Sequence, residues 1–224
     1  MEEIFDLGII GGGPAGYSAA FKAREKGLSA ILFEKDKIGG VCLNKGCIPT
    51  KTILHSAELY EEMKGAQDIG IFADNIGYDY SKIAEHKNKV VEKLRKNLEL
   101  ALKNAGVKVV YSDAKLKNGK IITEEKEYTC KEIITATGSK PKDFDNLRFD
   151  GEFILSSDDI LGLTQLPKSI VIIGSGAIGI EWARILSAFD VDVTIIEAAE
   201  HLLPIADIEV SKRIERIFKT EKIK

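Results

Sequence analysis

Two of the chain's three cysteines, Cys42 and Cys47, stand five positions apart in the stretch GGVCLNKGCIPTK, which runs from Gly39 to Lys51. Zinc sites and thioredoxin-like sites prefer two residues between their cysteines, so neither chemistry fits this spacing. On an ideal helix the two Cα atoms would lie roughly 8 to 9 Å apart. A disulfide tolerates about 7 Å. The pair can bridge only where the backbone bends, and Asn44, Gly46 and Pro49 are residue types that help it bend. Spacing alone leaves two readings open, a local exchangeable disulfide or two free buried thiols. The third cysteine, Cys130, sits in a strand-like run and reads as a small buried hydrophobe.

A second chemistry-bearing pattern occurs twice. LGIIGGGPAG from Leu7 and VIIGSGAIG from Val171 both run from apolar strand to glycine turn to helix, and each continues to a second strand ending in glutamate. Gly11, Gly13 and Gly16 set the spacing in the first copy, with Ser18–Lys26 expected as helix and Ala30–Phe33 as strand before Glu34. Gly174, Gly176 and Gly179 set it in the second, with helix expected over Ile180–Phe189 and strand over Val193–Ile196 before Glu197. Both glutamates follow the first glycine by 23 positions. In such a unit the first glycine makes the tight turn, the second lets backbone approach a pyrophosphate, and the third lets helix pack close to strand. The helix N-terminus holds phosphate, and the carboxylate accepts from the hydroxyls of an adenosine ribose. Two copies imply two dinucleotides.

The elements that position these residues follow from the patterning. A chain of 224 residues, 44% hydrophobic and 30% charged, can bury a real core. A net charge of -3 gives no footprint for nucleic acid or an anionic membrane, so small molecules are the expected partners. The early apolar run from Ile4 to Ala20 is broken by Gly11-Gly12-Gly13-Pro14 and suits neither a signal peptide nor a membrane span, which leads to a cytoplasmic expectation. In that compartment a disulfide would be catalytic or redox-sensing. Ile83, Val90, Val91, Leu94, Leu98, Ala101 and Leu102 recur at helical spacing within Tyr80–Ala105, and the basic residues of that segment are expected on a solvated face. Strand-like runs at Val107–Tyr111, Lys120–Thr123 and Tyr128–Ala136, with a hairpin turn at Asn118-Gly119, suggest a small antiparallel insertion. Ser156–Lys168 reads as a linker ending at Pro167.

The segment Gly39–Pro49 with Lys51 resembles the redox-active stretch of the class I flavin disulfide reductases and, within them, of the dihydrolipoamide dehydrogenases, with Leu43 and Ile48 tilting toward the latter. The likeness runs in register along the chain: the first glycine motif resembles the FAD site of that family, Ala136-Thr137-Gly138 its second FAD motif, and Gly174 to Glu181 its NAD site. The implied fold is α/β, a Rossmann-like FAD-binding domain (1–150) with a small antiparallel β insertion, a linker (151–168), and the start of a second Rossmann-like, NAD-binding domain (169–224). The resemblance implies a Cys42–Cys47 disulfide with Cys42 as the outer, substrate-exchanging thiol and Cys47 facing the flavin, and Lys51 by the flavin N5 edge, paired with Glu181. It implies FAD contacts from Gly11, Gly13, Pro14, Ala15, Gly16, Glu34, Lys35, Gly40, Val41, Cys42, Cys47, Lys51, Ala114, Thr137, Gly138 and Ser139. NAD would meet Gly174, Gly176, Ala177, Ile178, Gly179, Glu181 and Glu197. The partners implied are dihydrolipoamide on a lipoyl carrier protein and a second copy in a homodimer; no metal is implied.

The sequence departs from the family pattern in reaching Lys224 inside what should be the NAD domain. The rest of that domain, a returning FAD-binding segment and a dimerisation domain with a His-Glu pair would lie elsewhere, and this chain alone is expected to turn over poorly. His55, His86 and His201 match no catalytic motif and are expected in ordinary polar roles. Glutathione- or mercuric-reductase-like chemistry shares the cysteine frame, and a non-catalytic nucleotide-binding module is the reading from another class. Glu197, followed by Ala198, Ala199 and Glu200 with no arginine, favours NAD over NADP.

Overall fold

The computed structural model describes residues 3–224, which divide into two compact units: residues up to Pro49 with Asn88–Asp150, and Thr50–Lys87 with Gly151–Lys224. In the first unit β1 (Ile4–Ile10), α1 (Pro14–Glu25) and β2 (Ala30–Glu34) form a βαβ crossover, joined by β3 (Lys108–Tyr111), β4 (Lys115–Lys117), β5 (Lys120–Ile122) and β6 (Glu127–Thr135) in one sheet ordered β3-β2-β1-β6-β5-β4. β1 pairs in parallel with β2 (Leu7 opposite Ala30) and with β6 (Leu7 opposite Glu132), and β2 in parallel with β3. Only β4, β5 and β6 pair antiparallel.

Because β2 lies inside a parallel sheet it is buried on both faces, and its sequence AILFE is accordingly almost wholly apolar. Its alternation divides the core. Ile31 and Phe33 face Phe5, Ile10, Ile121 and Tyr128, with the Phe33 and Tyr128 rings edge-on at 4.9 Å. Leu32 faces Ile9, Ala20, Ile38, Leu102 and Val107 on the helical side. Among them Leu102 comes from α4 (Tyr80–Asn104), the amphipathic helix expected from its spacing.

In the second unit β7 (Ser169–Ile173), α5 (Ala177–Ala188) and β8 (Asp192–Ile196) form another βαβ crossover, with Ser169 opposite Asp192 and Ile173 opposite Ile196. α5 buries Trp182, Ala183, Ile185 and Leu186 together with Phe189, Val193, Phe218 and Ile223. The other sheet face is open: Val171, Ile173 and Ile196 are each more than half exposed. Tyr60, Tyr78 and Tyr80 pack their rings around Phe189, and burial pushes the Tyr80 phenol up to about 12. No helix of the described residues is long and apolar enough to cross a membrane.

The structure amends several expectations. Both crossover helices start earlier than periodicity indicated, at Pro14 and Ala177, because the residues between the second and third glycines of each loop already carry helical backbone. Val107–Tyr111 supplies the parallel strand β3 rather than part of the antiparallel insertion, which gains the short, exposed β4 that no apolar run announced. Asn118 and Gly119, at φ 52° and 74°, do turn that hairpin. Ser156–Lys168 contains a 3-10 turn (Ile160–Gly162) whose Ile160 and Leu161 are buried in the core. A helix α6 (Ile208–Thr220), N-capped by the Asp207 carboxylate at 2.8 Å from the Glu209 N–H, was not read from the sequence.

One basic residue of α4 also departs from the solvated face. Lys87 is buried, and its ammonium donates to the Leu161 carbonyl at 2.7 Å. Desolvation lowers its pKa from the ordinary 10.5. Lys87→Ala strands a buried carbonyl, and chemical denaturation should show a loss of about 2 kcal/mol. Between the lowered native pKa and 10.5 the unfolded chain binds more protons, so stability attributable to Lys87 rises with pH in that window; Lys87→Met should flatten that slope in denaturation followed as pH rises toward 10.5.

Candidate active site

The first glycine loop leaves the carboxyl end of β1. Gly11 takes φ +109°, and a Cβ there would lie 2.1 Å from the Ala136 carbonyl oxygen, so this turn needs glycine. A Cβ at Gly16 would lie 1.8 Å from the Gly11 oxygen, which is the close helix-strand packing expected of the third glycine. Gly13 differs. Its backbone is extended (φ -77°, ψ -175°) and a Cβ would meet nothing nearer than the Gly40 Cα at 3.5 Å. The fold leaves room for a side chain at Gly13, so the chain's own packing does not account for this glycine, whereas a bound group approaching the α1 N-terminus would. Pro14 opens α1 with no side-chain cap, leaving its first amides available to an anion.

At the carboxyl end of β2, Glu34 accepts from the Gly12 N–H through Oε2 and from the Asp36 N–H through Oε1, both at 2.9 Å. The carboxylate is thereby fixed beside the loop. Ala114 follows β3, and Thr137, Gly138 and Ser139 follow β6 after Ala136, whose N–H donates to the Ile10 carbonyl at 2.7 Å. The parallel pairing therefore gathers Gly11–Gly16, Glu34, Lys35, Ala114 and Thr137–Ser139 at one edge of the first sheet, where the strand order reverses direction at β1.

The cysteine segment is tied to this loop by backbone. The Gly39 N–H donates to the Gly12 oxygen at 2.8 Å. Gly39 and Gly40 take φ +104° and +59°, and a Cβ on Gly40 would lie 2.6 Å from the Gly13 Cα. Helix α2 (Gly40–Lys45) follows, and the Asn44 amide donates to the Ile38 and Gly40 carbonyls, each at 3.0 Å. Gly46 (φ -146°, ψ -106°) breaks the helix before α3 (Cys47–Gly65) begins. The break brings the Cα atoms of Cys42 and Cys47 to 4.7 Å and the pair is a disulfide. Val41 and Cys47 are exposed and Cys42 is half-buried. Cys130 is free, and burial raises its thiol pKa, which makes it a poor nucleophile.

The second loop repeats the first within its own unit. Gly174 takes φ +94°, and a Cβ at Gly179 would lie 2.2 Å from the Gly174 oxygen. A Cβ at Gly176 would meet nothing within 4 Å, so again the fold itself does not require the middle glycine. Ala177 and Ile178 are exposed in the first turn of α5. Glu197 accepts from the Ser175 N–H (2.8 Å) and hydroxyl (2.6 Å) through Oε2 and from the Ala199 N–H (2.8 Å) through Oε1. These donors, the hydroxyl first, hold its pKa down at about 2. In the same unit Lys51 and Glu181 form an ion pair, with Lys51 exposed. His55 and His86 are exposed, and His201 Nδ1 lies 3.8 Å from Glu215.

Sequence reasoning missed Gly12, Asp36, Ser175 and Ala199 as the donors that fix the two carboxylates. All four act through backbone N–H groups, which any residue supplies and no pattern reports; Ser175 alone adds a side-chain donor, at the variable position of the glycine motif. The glycine geometry separates two kinds of substitution. Gly16→Ala and Gly179→Ala should cost at least about 3 kcal/mol of stability, whereas Gly13→Ala and Gly176→Ala should stay within about 1 kcal/mol of the parent yet bind dinucleotide at least about tenfold more weakly. Urea melts and equilibrium dialysis distinguish these outcomes, and unimpaired binding by Gly13→Ala would remove the reason given for that glycine.

Similarity to known proteins identifies the family. Residues 5–224 match the family model described as pyridine nucleotide-disulphide oxidoreductase. A dihydrolipoyl dehydrogenase of Bacillus subtilis (strain 168) is 37% identical over 237 residues, covering 100% of this chain and 50% of the relative. One of Acholeplasma laidlawii is 37% identical over 230 residues, covering 100% of this chain and 68% of the relative. The chain thus spans about half the length of the first and about two thirds of the second. LpdA of Mycobacterium tuberculosis shares the fold, with a TM-score of 0.88 at 24% identity over 97% of this chain and 50% of that one. The HOCl-induced flavoprotein disulfide reductase RclA of Escherichia coli gives a TM-score of 0.82 at 27% identity over 98% of this chain and 48% of that one. The chain belongs to the pyridine nucleotide-disulphide oxidoreductase family, whose members work with FAD and NAD.

Proposed function

We propose that the protein carrying this chain is an FAD-dependent, NAD-linked dihydrolipoyl dehydrogenase that oxidises dihydrolipoamide held on a lipoyl carrier protein. The observation that carries this reading is the local disulfide Cys42–Cys47 tethered through Gly39 and Gly40 to a dinucleotide loop. A disulfide spanning five positions on a broken helix is accessible to thiol exchange, unlike a structural staple across a core. Residues 1–150 are proposed as the FAD-binding domain, 151–168 as its connection, and 169–224 as part of the NAD-binding domain.

The residues fit both cofactors. FAD would place its pyrophosphate at Gly11, Gly13, Pro14, Ala15 and Gly16 and its ribose at Glu34 and Lys35, with Gly40, Val41, Ala114, Thr137, Gly138 and Ser139 along its length. NAD would use Gly174, Gly176, Ala177, Ile178 and Gly179 for its phosphates and Glu197 for its ribose. Lys51 and Glu181 are assigned to the electron-transfer region as a charge pair. In the reaction, one substrate thiolate attacks the Cys42 sulfur and the Cys42–Cys47 bond breaks, leaving a Cys47 thiolate. The second substrate thiol, losing its proton, displaces Cys42. The products are the cyclic substrate disulfide and a reduced Cys42/Cys47 pair. Bound FAD supplies the route by which that electron pair reaches NAD. Cys47 is proposed as the sulfur that meets the flavin, and the fixed carboxylate of Glu197 opposes a 2'-phosphate, which favours NAD and disfavours the glutathione- and mercuric-reductase-like alternative.

An exchangeable thiol centre is suited to a reducing compartment, so the cytoplasm is the proposed location and a homodimer the proposed assembly. The full protein should form NADH from dihydrolipoamide. Cys42→Ser should lower that rate at least about 1,000-fold with FAD retained, and NAD should be preferred over NADP by about 100-fold in kcat/KM, as expected for several kcal/mol of like-charge opposition. Stopped-flow absorbance with each nucleotide checks both, and a preference for NADP would overturn the assignment.

A further inference from the structure

The two glycine loops differ at one residue in a way that alters how each can hold a ribose. An ionised carboxylate offers about four acceptor positions, two on each oxygen. On Glu34, Gly12 fills one position of Oε2 and Asp36 one of Oε1, so each oxygen keeps one. A ribose diol, which offers two donors, can therefore be gripped by both oxygens. On Glu197 the Ser175 N–H and the Ser175 hydroxyl both go to Oε2, and Ala199 takes one position of Oε1. Only Oε1 keeps an open position.

The first loop has no ready space for this hydroxyl. A Cβ on Gly12 would lie 2.4 Å from Ile38 Cδ1 and 3.0 Å from Glu34 Oε2. Ser175, in contrast, is fully buried, so its hydroxyl has no water to turn to when a nucleotide arrives. The first loop also shows that two backbone N–H groups suffice to hold such a carboxylate in place. The hydroxyl is thus not needed to position Glu197; its effect is to occupy it.

We infer that the Ser175 hydroxyl competes with a ribose hydroxyl for Glu197 and so loosens nucleotide binding at the second loop, making Ser175 the residue that sets the affinity of the exchanging nucleotide. This rests on the NAD reading of that loop. A cofactor that stays bound gains from the two-oxygen grip at Glu34, whereas a co-substrate that leaves in every turnover gains from the one-oxygen grip at Glu197, because release can limit turnover.

The test is calorimetric titration of the full protein and its Ser175→Gly and Ser175→Ala variants with NAD, with ADP-ribose, and with 2',3'-dideoxyadenosine diphosphate, which lacks the diol. Both variants should bind NAD and ADP-ribose about three- to tenfold more tightly and the dideoxy ligand unchanged. Weaker or equal binding of the diol ligands, or an equal change with the dideoxy ligand, would overturn the inference. Glu197→Gln separates the two levels of argument: if it binds NAD as the parent does, the NAD reading of this loop fails, and if it binds weakly while the Ser175 variants gain nothing, only the role of Ser175 fails. Carbon-13 titration of the Glu197 carboxyl in Ser175→Ala, which keeps the Cβ, should move upward from about 2; an unmoved titration would show that the hydroxyl does not engage the carboxylate and would equally overturn the inference.

Discussion

The first unit depends on one backbone crossing, where Gly40 passes Gly13 so closely that a single added carbon would sit 2.6 Å from the Gly13 Cα. Neither chain can back away. Gly39 is bonded to Gly12 on one side of the crossing, and α1 starts at Pro14 on the other. The consequence is that the disulfide segment and the dinucleotide loop occupy a fixed relation set by main chain rather than by side-chain rotamers. Main-chain placement suits thiol–disulfide chemistry, because bond-forming transfer needs reacting atoms held about 3–3.5 Å apart and aligned.

The disulfide itself is a case of geometry overriding helix propensity. Five residues of continuous helix would hold the cysteines too far apart, and Gly46 resolves this by leaving helical backbone for one residue between α2 and α3. Asn44 then holds the short α2 by donating its amide to the Ile38 and Gly40 carbonyls, so a six-residue helix that could not stand alone is anchored at its start. The bend and the anchor together make the bridge local. A local bridge adds little to global stability, since it closes a short loop, and this leaves it free to open and close during exchange without unfolding the unit.

Much of this was legible in the sequence because glycine spacing, apolar strands and acid positions are local signals. The loops at Gly11 and Gly174, the strands before Glu34 and Glu197, and the bend implied by Asn44 and Gly46 all came from such signals. The family resemblance added the disulfide pairing, which spacing had left undecided. What stayed hidden was non-local. Lys87 looks like any other lysine of a charged helix until Leu161, 74 positions later, presents its carbonyl. β3 could not be assigned to the parallel part of the sheet from Val107–Tyr111 alone, because an apolar run of that length carries no direction. α6 was masked by its many charges, and the roles of Gly12 and Ser175 depend on where a carboxylate 22 positions away folds back.

The repeated unit also shows one motif set in two different surroundings. In the first copy the loop is walled: Ala136 stands over Gly11, Ile38 over Gly12 and Gly40 over Gly13. In the second copy, among the described residues, nothing lies within 4 Å of where a Cβ would stand on Gly174 or Gly176. The two loops share the positive φ of the first glycine and the packing of the third against its carbonyl, so the crossover itself is the same object. The difference lies in what each sheet edge places above it. A walled loop excludes water and fixes a bound group from several sides, which favours a cofactor that remains. In the second copy the carboxylate is already held by three donors, so a group arriving beside it meets a carboxylate that need not be reorganised first.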